Sequence, residues 1–529
     1  MGTRRWAMVL AFVVTWTVVA GAQAAAELAL WAHPYLEPMA RDLAPPESAG
    51  ATLGVKTTPG EYEPAVLAVR AGGEITAEMT FETGQVAEAM PRSWLAVNRV
   101  ESLNAETSPK RLMGGGRTQT LPADQTVFYW LTVRPPVTTA PGTYGTTIVM
   151  DVGGKRHTAE LVCEVLPFVL VDSPIVGGAF MARTDLPRRW YRDMKAHGID
   201  AIQMFWNSTG MDVRQVGGKL VMDFEDLDRF MEEVNAGGID GPIVISLGND
   251  SSLHYEREIA GAFGMPVEVS EPIGGKRIKA PKVSPELDRL FVEGLRQIRE
   301  HWDARGYRQE LIVLIYDEPT ERLLERCKSR YDLLKTVMRD TRVYGVVMNR
   351  QKWAASMLDQ CDIIVANGDF ERCRDLAADH NKHYWIYGFP LREVHTARHD
   401  MGLLAWRVGA SGVFFWMYNY WGYDPDNCAV YVNADNPTEP IRSVAWEGIR
   451  EGQDDLRYVA TAERLIAMAP PDVREAAAAK LEAIRLSLDP SRRRRAPRGE
   501  EHDEVSLVQH VNEPQRVRDA IIELILELR

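Results

Sequence analysis

Two adjacent carboxylates, Asp317 and Glu318, stand directly after a short apolar segment at residues 311–316. A continuous apolar run with β-branched residues is typical of a strand that is buried on both faces. Pro319 ends this strand, because proline has no N–H group to donate to a sheet. Enzymes with parallel strands keep their reacting groups at the carboxyl ends of those strands, so the pair predicts acid–base chemistry. The alternative is a helix cap, since acidic residues also open helices.

The backbone sets a condition on that chemistry. Successive side chains of a strand point to opposite faces of the sheet. Asp317 and Glu318 therefore reach one substrate together only if the chain turns at this point.

The segment after residue 176 alternates short apolar runs with helical patterns, which indicates parallel βα units. Ser284-Pro285 is a cap followed by proline at the first helical position, and Gly237-Gly238 closes another helix. Eight such units predict an α/β fold with a (β/α)8 TIM-type barrel. An open doubly wound sheet is the alternative, although no G-x-G-x-x-G follows a strand. The predicted strands are residues 176–182, 201–205, 242–247, 311–316, 343–348, 362–366, 384–387 and 412–417.

In such a barrel all strand ends face one cavity. The rim is rich in amides, carboxylates and aromatic rings and has little basic charge, which suits a neutral polyhydroxy ligand better than a phosphate. A long loop at residues 252–282 is a candidate cover for the site. The rim candidates are Arg183, Trp206, Asn207, Ser208, Asn249, Asp250, Asn349, Asn367, Asp369, Glu393 and residues 416–424.

The barrel is predicted at residues 175–458, between two regions of different pattern. Residues 27–170 carry β segments separated by turns, which predicts an N-terminal β-sandwich. Residues 459–529 form a C-terminal helical extension with a charged linker at 491–504. Residues 1–24 combine a basic start, an apolar run and an Ala-Gln-Ala cleavage site, which predicts a signal peptide and export to the periplasm, cell surface or medium. No later run is long enough to span a membrane.

The 529-residue chain has a formal net charge of −13, which argues against nucleic acid as a partner. Its 14 Trp and 17 Tyr residues provide amphipathic rings that suit the flat faces of sugars. The five irregularly spaced cysteines form neither a disulfide framework nor a metal set. We therefore expect a glycan or glycoconjugate as the partner, and no metal and no cofactor.

Three motifs stand out: Asp317-Glu318-Pro319, the aromatic run FFWMYNYWGYD at residues 414–424, and the block WEGIREGQDD at residues 446–455. Together they resemble glycoside hydrolase family 123 and its uncharacterised relatives, over roughly residues 62–467. In the last block, Trp446, Ile449 and Leu456 are spaced to bury one helix face, which predicts a structural role.

The resemblance implies a β-N-acetylgalactosaminidase-like enzyme with substrate-assisted catalysis, an exception to the usual two-carboxylate scheme. Glu318 is then the general acid that protonates the leaving oxygen. Asp317 holds the 2-acetamido nitrogen so that the acetamido oxygen attacks the anomeric carbon. Adjacent like charges favour one protonated and one ionised carboxyl in such a pair. The candidates for substrate contact are Tyr387, Trp416, Tyr418, Trp421 and Asn349.

Two alternatives stay open at this point. A retaining glycosidase with Glu318 as acid/base and Glu393 as nucleophile requires the two carboxyls to lie about 5 Å apart. A non-catalytic carbohydrate-binding protein on the same fold is the other, because a fold does not guarantee an activity.

Overall fold

The computed structural model describes residues 28–47, 50–84, 88–102, 110–249, 252–269, 279–319, 323–348, 358–391, 393–422, 427–488 and 511–529. The predicted signal peptide, the charged linker and the candidates Asn349 and Asp250 lie outside these residues. Within them, no helix is long and apolar enough to cross a membrane.

The front of the chain is built from two packed sheets. Its strands are β1 (Leu28–His33), β2 (Thr52–Thr57), β3 (Glu63–Ala71), β4 (Ile75–Thr83), β5 (Glu88–Ala89), β6 (Leu95–Ser102), β7 (Lys110–Gly114), β8 (Thr118–Leu121), β9 (Thr126–Val133), β10 (Gly142–Val152) and β11 (Lys155–Val165). One sheet has the order β1-β3-β9-β6-β7 and the other β2-β11-β10-β4-β8, with β5 beside β10. The inner faces of both sheets enclose one apolar core around Leu67, Tyr129 and Leu161. The β-rich front region predicted from the sequence is therefore present.

Parallel strands close into a barrel, as the alternating pattern predicts. In chain order they are β12 (Val176–Met181), β13 (Ala201–Phe205), β16 (Ile243–Ser246), β19 (Leu311–Leu314), β20 (Arg342–Met348), β21 (Ile363–Asn367), β22 (His383–Pro390) and β23 (Gly412–Asn419). Each strand pairs with the next along the chain, and β23 pairs with β12. The open doubly wound alternative is excluded by this closure. The strand before the carboxylate pair is shorter than predicted, because it leaves the sheet after Leu314.

Helices surround the barrel and carry the local signals found in the sequence. Ser284 caps the helix that follows it by accepting from the backbone N–H of Leu287 at 3.2 Å. Gly238 ends an earlier helix at φ 85°, a conformation that glycine adopts without strain. The helices are α1 (Arg188–Ala196), α2 (Glu225–Gly237), α3 (His254–Ala262), α4 (Pro285–Arg305), α5 (Leu324–Val337), α6 (Phe370–Asp379), α7 (Val394–Met401), α8 (Leu403–Val408), α9 (Val444–Met468), α10 (Pro471–Ser487) and α11 (Glu513–Glu527).

Two-stranded ribbons extend the loops at the carboxyl ends of the barrel strands. They pair β14 (Asp212–Val216) with β15 (Lys219–Asp223), β17 (Val267–Val269) with β18 (Lys279–Pro281), and β24 (Val430–Val432) with β25 (Pro440–Arg442). The predicted loop at residues 252–282 is thus corrected in part, because it contains helix α3 and a ribbon. The buried side chains of α3, among them Tyr255 and Ile259, explain why residues 254–262 form a helix.

The C-terminal helices are tied to the barrel and to the front sheets by buried ions. Arg518 of α11 donates to Asp455 and Glu451 of α9, at 2.5 and 2.9 Å, and to Glu63 of β3 at 3.0 Å. Arg398 of α7 makes two 2.8 Å bonds to Asp455. The block at residues 446–455 is buried throughout and supplies these carboxylates, which agrees with its expected structural role.

Candidate active site

A cavity of about 500 Å³ opens at the carboxyl ends of the barrel strands. Asp317 and Glu318 both line it. They are the carboxylates among its described lining residues, which are otherwise amides, hydroxyls, aromatic rings, one histidine, one alanine and one glycine. The full lining is Ala182, Phe205, Asn207, Ser208, Asn249, Ser252, His254, Asp317, Glu318, Asn367, Tyr387, Gly388, Trp416 and Tyr420.

A backbone turn brings the two neighbouring carboxylates to the same cavity. The strand stops at Leu314, and the N–H of Asp317 then donates to the carbonyl of Gly248 at 2.9 Å. Glu318 has φ 47°, in the left-handed region that side chains other than glycine rarely adopt. This conformation breaks the strand alternation that would have sent the two side chains to opposite faces. Strain of this kind is typical of functional sites.

Two side chains from later barrel strands hydrogen-bond to the carboxylate pair. They are Asn367 at the end of β21 and Tyr387 on β22. The hydroxyl of Tyr387 donates to Glu318 Oε1 at 2.5 Å and lies 3.3 Å from Asp317 Oδ1. Asn367 Nδ2 donates to the same Glu318 Oε1 at 2.9 Å. Burial, followed by the charges of Asp317 and Glu318, raises the pKa of Tyr387 well above its usual range. Tyr387 therefore stays protonated and acts as a donor to the pair.

Aromatic rings form the wall of the cavity beside the carboxylates. The ring of Trp416 lies 5.4 Å from that of Phe180, 6.0 Å from that of Phe205 and 6.5 Å from that of Tyr420. Phe180 also packs against Tyr387 at 5.6 Å. Trp416 is half-buried and lines the cavity, so its neighbours hold the ring while part of it stays accessible. A ring held in this way suits the apolar face of a sugar.

A chain of hydrogen bonds in another part of the cavity lining ends at His254. Arg257 Nη1 donates to Ser252 Oγ at 2.7 Å, and this oxygen lies 3.4 Å from His254 Nδ1. Burial and the charge of Arg257 lower the pKa of His254. His254 is thus a neutral imidazole at the cavity, with one ring nitrogen that donates and one that accepts.

An ion cluster behind the site fixes the strand that carries the pair. The hydroxyl of Tyr316 donates to Glu256 of α3. Glu256 also accepts from Arg330 Nε at 2.8 Å and from Arg326. The arginines hold the pKa of Glu256 below its usual range despite its burial, which acts in the opposite direction. Because α3 begins at His254, the cluster links the segment that carries the carboxylates to the helix that carries His254.

Tyr418 is corrected to a packing residue. Its side chain is fully buried outside the cavity, where the hydroxyl donates to the carbonyl of Trp190 at 3.2 Å and the ring packs against Trp446. The register of β23 against β12 shifts between Ala179 and Met181, and this irregularity separates the directions of Trp416 and Tyr418.

Trp421 also lies outside the described lining of the cavity. Its Nε1 donates to the carbonyl of Val430 at 2.7 Å, and its ring packs against Trp190 and the guanidinium of Arg183. Arg183 pairs with Asp185 and is exposed. Neither residue is part of the described cavity lining, where a sugar platform was expected for Trp421.

Three other rim candidates lie elsewhere. Trp206 is buried and donates to Glu258, with its ring against Tyr255. Asp369 is exposed and precedes helix α6. Glu393 precedes α7 and faces the charge of Lys110 in the front sheet β7. Asn207, Ser208, Asn249 and Asn367 do line the cavity, as the rim pattern suggested.

Sequence reasoning did not single out Ser252, His254 or Gly388. His254 sits at the start of α3, inside a segment interpreted as loop. The apolar side chains of Leu253, Ile259 and Ala260 are the signal that would have revealed the helix. In the part of the chain that the structure describes, no group of three His, Cys, Asp or Glu side chains could hold a metal ion, and all five cysteines are free and buried.

Known structures provide a comparison for this fold and site. The chain superposes on a family 123 glycoside hydrolase from Clostridium perfringens with a TM-score of 0.72, at 12% identity, over 95% of this chain and 99% of that chain. Partial likenesses include an endo-beta-1,4-mannanase from Thermotoga petrophila (TM-score 0.36, 13% identity, 54% and 77% covered). Another is a GH10 xylanase with a bacterial Ig-like domain from termite gut (TM-score 0.35, 10% identity, 69% and 94% covered). No curated protein matches the chain.

The family comparison agrees with the site. Residues 211–462 match the family model described as glycoside hydrolase 123, catalytic domain. The matched segment contains both carboxylates and the buried block at residues 446–455. The fold, the carboxylate-lined cavity and this match lead to one conclusion. The chain is a family 123-like glycoside hydrolase.

Proposed function

We propose that this glycosidase is a retaining exo-β-N-acetylhexosaminidase, galactosaminidase-like, that uses the 2-acetamido group of its substrate as the nucleophile. One observation carries the proposal. Asp317 and Glu318 are the carboxylates in the described lining of the cavity, and one hydroxyl, that of Tyr387, lies within hydrogen-bond distance of both. They therefore stand on the same side of the cavity. A retaining enzyme with its own nucleophile needs its second carboxylate across the sugar, about 5 Å from the acid.

The roles follow from this arrangement. Glu318 gives its proton to the glycosidic oxygen while the acetamido oxygen forms a bond to the anomeric carbon. Asp317 accepts the acetamido N–H, which aligns the group and stabilises the positive charge that develops on it. The Glu318 carboxylate then takes a proton from water, which opens the bicyclic intermediate with net retention.

Two further features support the substrate class. The wall formed by Trp416 and the neutral imidazole of His254 suit an uncharged sugar, and the described cavity lining has no lysine or arginine. The similar structure from Clostridium perfringens concerns glycolipid glycan hydrolysis. The substrate proposed here is a glycolipid or another glycoconjugate with a terminal β-linked 2-acetamido sugar. We also propose that the enzyme is exported, which the signal-like composition of residues 1–24 supports.

The decisive experiment is hydrolysis of aryl β-glycosides by the mature protein, with each 2-acetamido sugar paired with its 2-hydroxy counterpart. Turnover confined to the acetamido sugars is expected. Glu318→Gln and Asp317→Asn should each reduce kcat by about 10²–10⁴-fold, the range of acid–base and electrostatic contributions. A thiazoline analogue of the bicyclic intermediate should inhibit in competition with substrate.

Turnover of the 2-hydroxy sugars at a comparable rate would contradict substrate assistance. Folding of each variant is checked by its thermal midpoint, and both substitutions keep the size of the side chain. The two sugar configurations, gluco and galacto, are tested side by side, since the preference between them defines the substrate further.

A further inference from the structure

Two hydrogen-bond donors converge on a single oxygen of Glu318. Asn367 Nδ2 lies 2.9 Å from Oε1, and the Tyr387 hydroxyl lies 2.5 Å from the same atom. The two donors come from the ends of adjacent strands, β21 and β22, and both line the cavity. The pair of contacts fixes both the position of the carboxyl group and its rotation.

The two oxygens of a protonated carboxyl differ, since the carbonyl oxygen accepts and the hydroxyl oxygen donates. An oxygen that already accepts two hydrogen bonds is the carbonyl oxygen. We infer that Asn367 is a positioning residue that, together with Tyr387, keeps the proton of Glu318 on Oε2, the oxygen that delivers it to the leaving group. This inference rests on the proposed role of Glu318 as the general acid.

Gly388 makes room for this arrangement. It has φ 90°, and a Cβ atom built on it would stand 3.0 Å from Cγ, Oδ1 and Nδ2 of Asn367. A side chain at this position would therefore push the carboxamide away from Glu318 and would strain the backbone as well. Glycine at position 388 and asparagine at position 367 act as one unit that supports the acid.

The step that depends on this unit is proton delivery. The Oε2–H bond of Glu318 breaks as its proton joins the glycosidic oxygen. The bond between that oxygen and the anomeric carbon breaks at the same time, and its electron pair stays on the oxygen. The acetamido oxygen supplies the new bond to the anomeric carbon. A leaving group that is stable as an anion departs with little protonation, whereas an alcohol departs only when its oxygen is protonated.

The test compares two leaving groups on the same 2-acetamido sugar in the full-length mature enzyme. Asn367→Leu should reduce kcat/KM for a 4-methoxyphenyl glycoside by about 10–100-fold, because small misplacements of a reacting group have effects of that size. For a 2,4-dinitrophenyl glycoside the same variant should retain activity within about threefold. Asn367→Asp keeps the shape of the side chain but lacks the amide donor, and should show the same pattern if the leucine variant does not fold.

Gly388→Ala serves as the second, independent variant. It changes neither Asn367 nor Glu318, but its methyl group should displace the Asn367 carboxamide. We therefore expect the same dependence of kcat/KM on the leaving group. Uniform loss with both leaving groups, or no loss with either, in the folded Asn367 variants would overturn the inference.

Glu318→Gln separates this inference from the proposed function. If Glu318 is the general acid, Glu318→Gln should lose far more kcat/KM with the 4-methoxyphenyl glycoside than with the 2,4-dinitrophenyl glycoside. This difference should be larger than in the Asn367 variants. If Glu318→Gln shows the pattern and the Asn367 variants do not, only the positioning role fails. If Glu318→Gln itself lacks the pattern, the general-acid role fails and the positioning role with it.

Discussion

Arg518 and Glu63 form an ion pair of 3.0 Å, although 455 positions separate them in the chain. Both side chains are almost fully buried. Arg518 belongs to the last helix and Glu63 to a strand of the front sheets, while two further carboxylates of the cluster, Glu451 and Asp455, belong to the helix after the barrel. The three parts of the chain therefore share one buried charge cluster.

Arg518→Met should lower the free energy of unfolding by about 3–5 kcal/mol, because removing one partner leaves buried carboxylates without a compensating charge. The measurement is the midpoint of urea unfolding at pH 7. Lys480→Met is the matched control, since Lys480 of α10 pairs with Glu527 of the same last helix α11 but in an exposed place. Lys480→Met should lower the free energy of unfolding by less than about 1 kcal/mol. Equal losses in the two variants would contradict a stabilising role of the buried Arg518 cluster.

Glu451 predicts a pH dependence of stability. Burial raises its pKa from 4.5 to about 7, against the opposing charges of Arg518 and Arg398. Between pH 4.5 and about 7, the Glu451 carboxyl is protonated in the folded protein and ionised in the unfolded chain. The free energy of unfolding therefore falls as pH rises from about 4.5 to 7 through this group. The charged groups that face Glu451 are Arg518, Arg398, Asp454, Arg450 and Glu63.

Glu451→Gln should flatten that dependence, because glutamine does not titrate. Urea midpoints of the two proteins at pH 5, 6, 7 and 8 provide the comparison. Burial also raises the pKa of Glu61 and of Glu63, so the slope in the variant decreases without vanishing. Identical slopes in both proteins would exclude Glu451 as a source of the pH dependence.

His254→Ala should reduce kcat/KM by about 3–10-fold, since one hydrogen bond to a neutral partner contributes about 1 kcal/mol. The loss should appear in KM, because the residue is expected to bind substrate and not to react. Ser252→Ala removes the hydroxyl that lies 3.4 Å from His254 Nδ1 but keeps the ring, so its effect should be smaller. A change in kcat alone would assign His254 a different role.

Trp416→Ala should raise KM about tenfold, which corresponds to a ring contact of roughly 1.4 kcal/mol. Trp421→Ala is the control from the same aromatic run. Its ring packs against Trp190 at 5.9 Å, outside the described cavity lining. We expect Trp421→Ala to lower the thermal midpoint while KM changes less than about twofold. An increase of KM in the Trp421 variant alone would reverse the assignment of the two rings.

Glu393→Gln decides between the two retaining mechanisms. Glu393 faces Lys110 of the front sheet and is not among the described residues of the cavity lining. Its substitution should change kcat less than about twofold, whereas loss of an enzymic nucleophile reduces kcat by several orders of magnitude. Accumulation of a covalent glycosyl–enzyme on Glu393 in the wild-type protein would support the alternative instead.

The barrel and the carboxylate pair could be predicted from the chain alone because local periodicity encodes them. The strand at residues 311–314 can be predicted without knowledge of its neighbours, since a short apolar run is typical of a strand buried in a parallel sheet. The same holds for Ser284, whose side chain caps the next helix. The position of Asp317 and Glu318 at a strand end then followed from chain order.

Tertiary structure decided which side chains share the cavity. Strict alternation would have placed Trp416 and Tyr418 on the same face of β23, but the register shift against β12 sends them to opposite sides. The turn at Glu318, with φ 47°, has the opposite effect. It brings two neighbouring carboxylates to one cavity, whereas a regular strand would point them to opposite faces. Both are departures from the strand period, and a periodic pattern does not encode its own interruptions.

His254 and Arg518 owe their roles to contacts between segments that are distant in the chain. Their partners are set by how helices pack on the barrel and on the front sheets, which depends on the volume and shape of many side chains at once. Residue types and spacing determined that this protein is a barrel with two adjacent carboxylates at a strand end. The packing of its elements determined which neighbours bind, support and orient them.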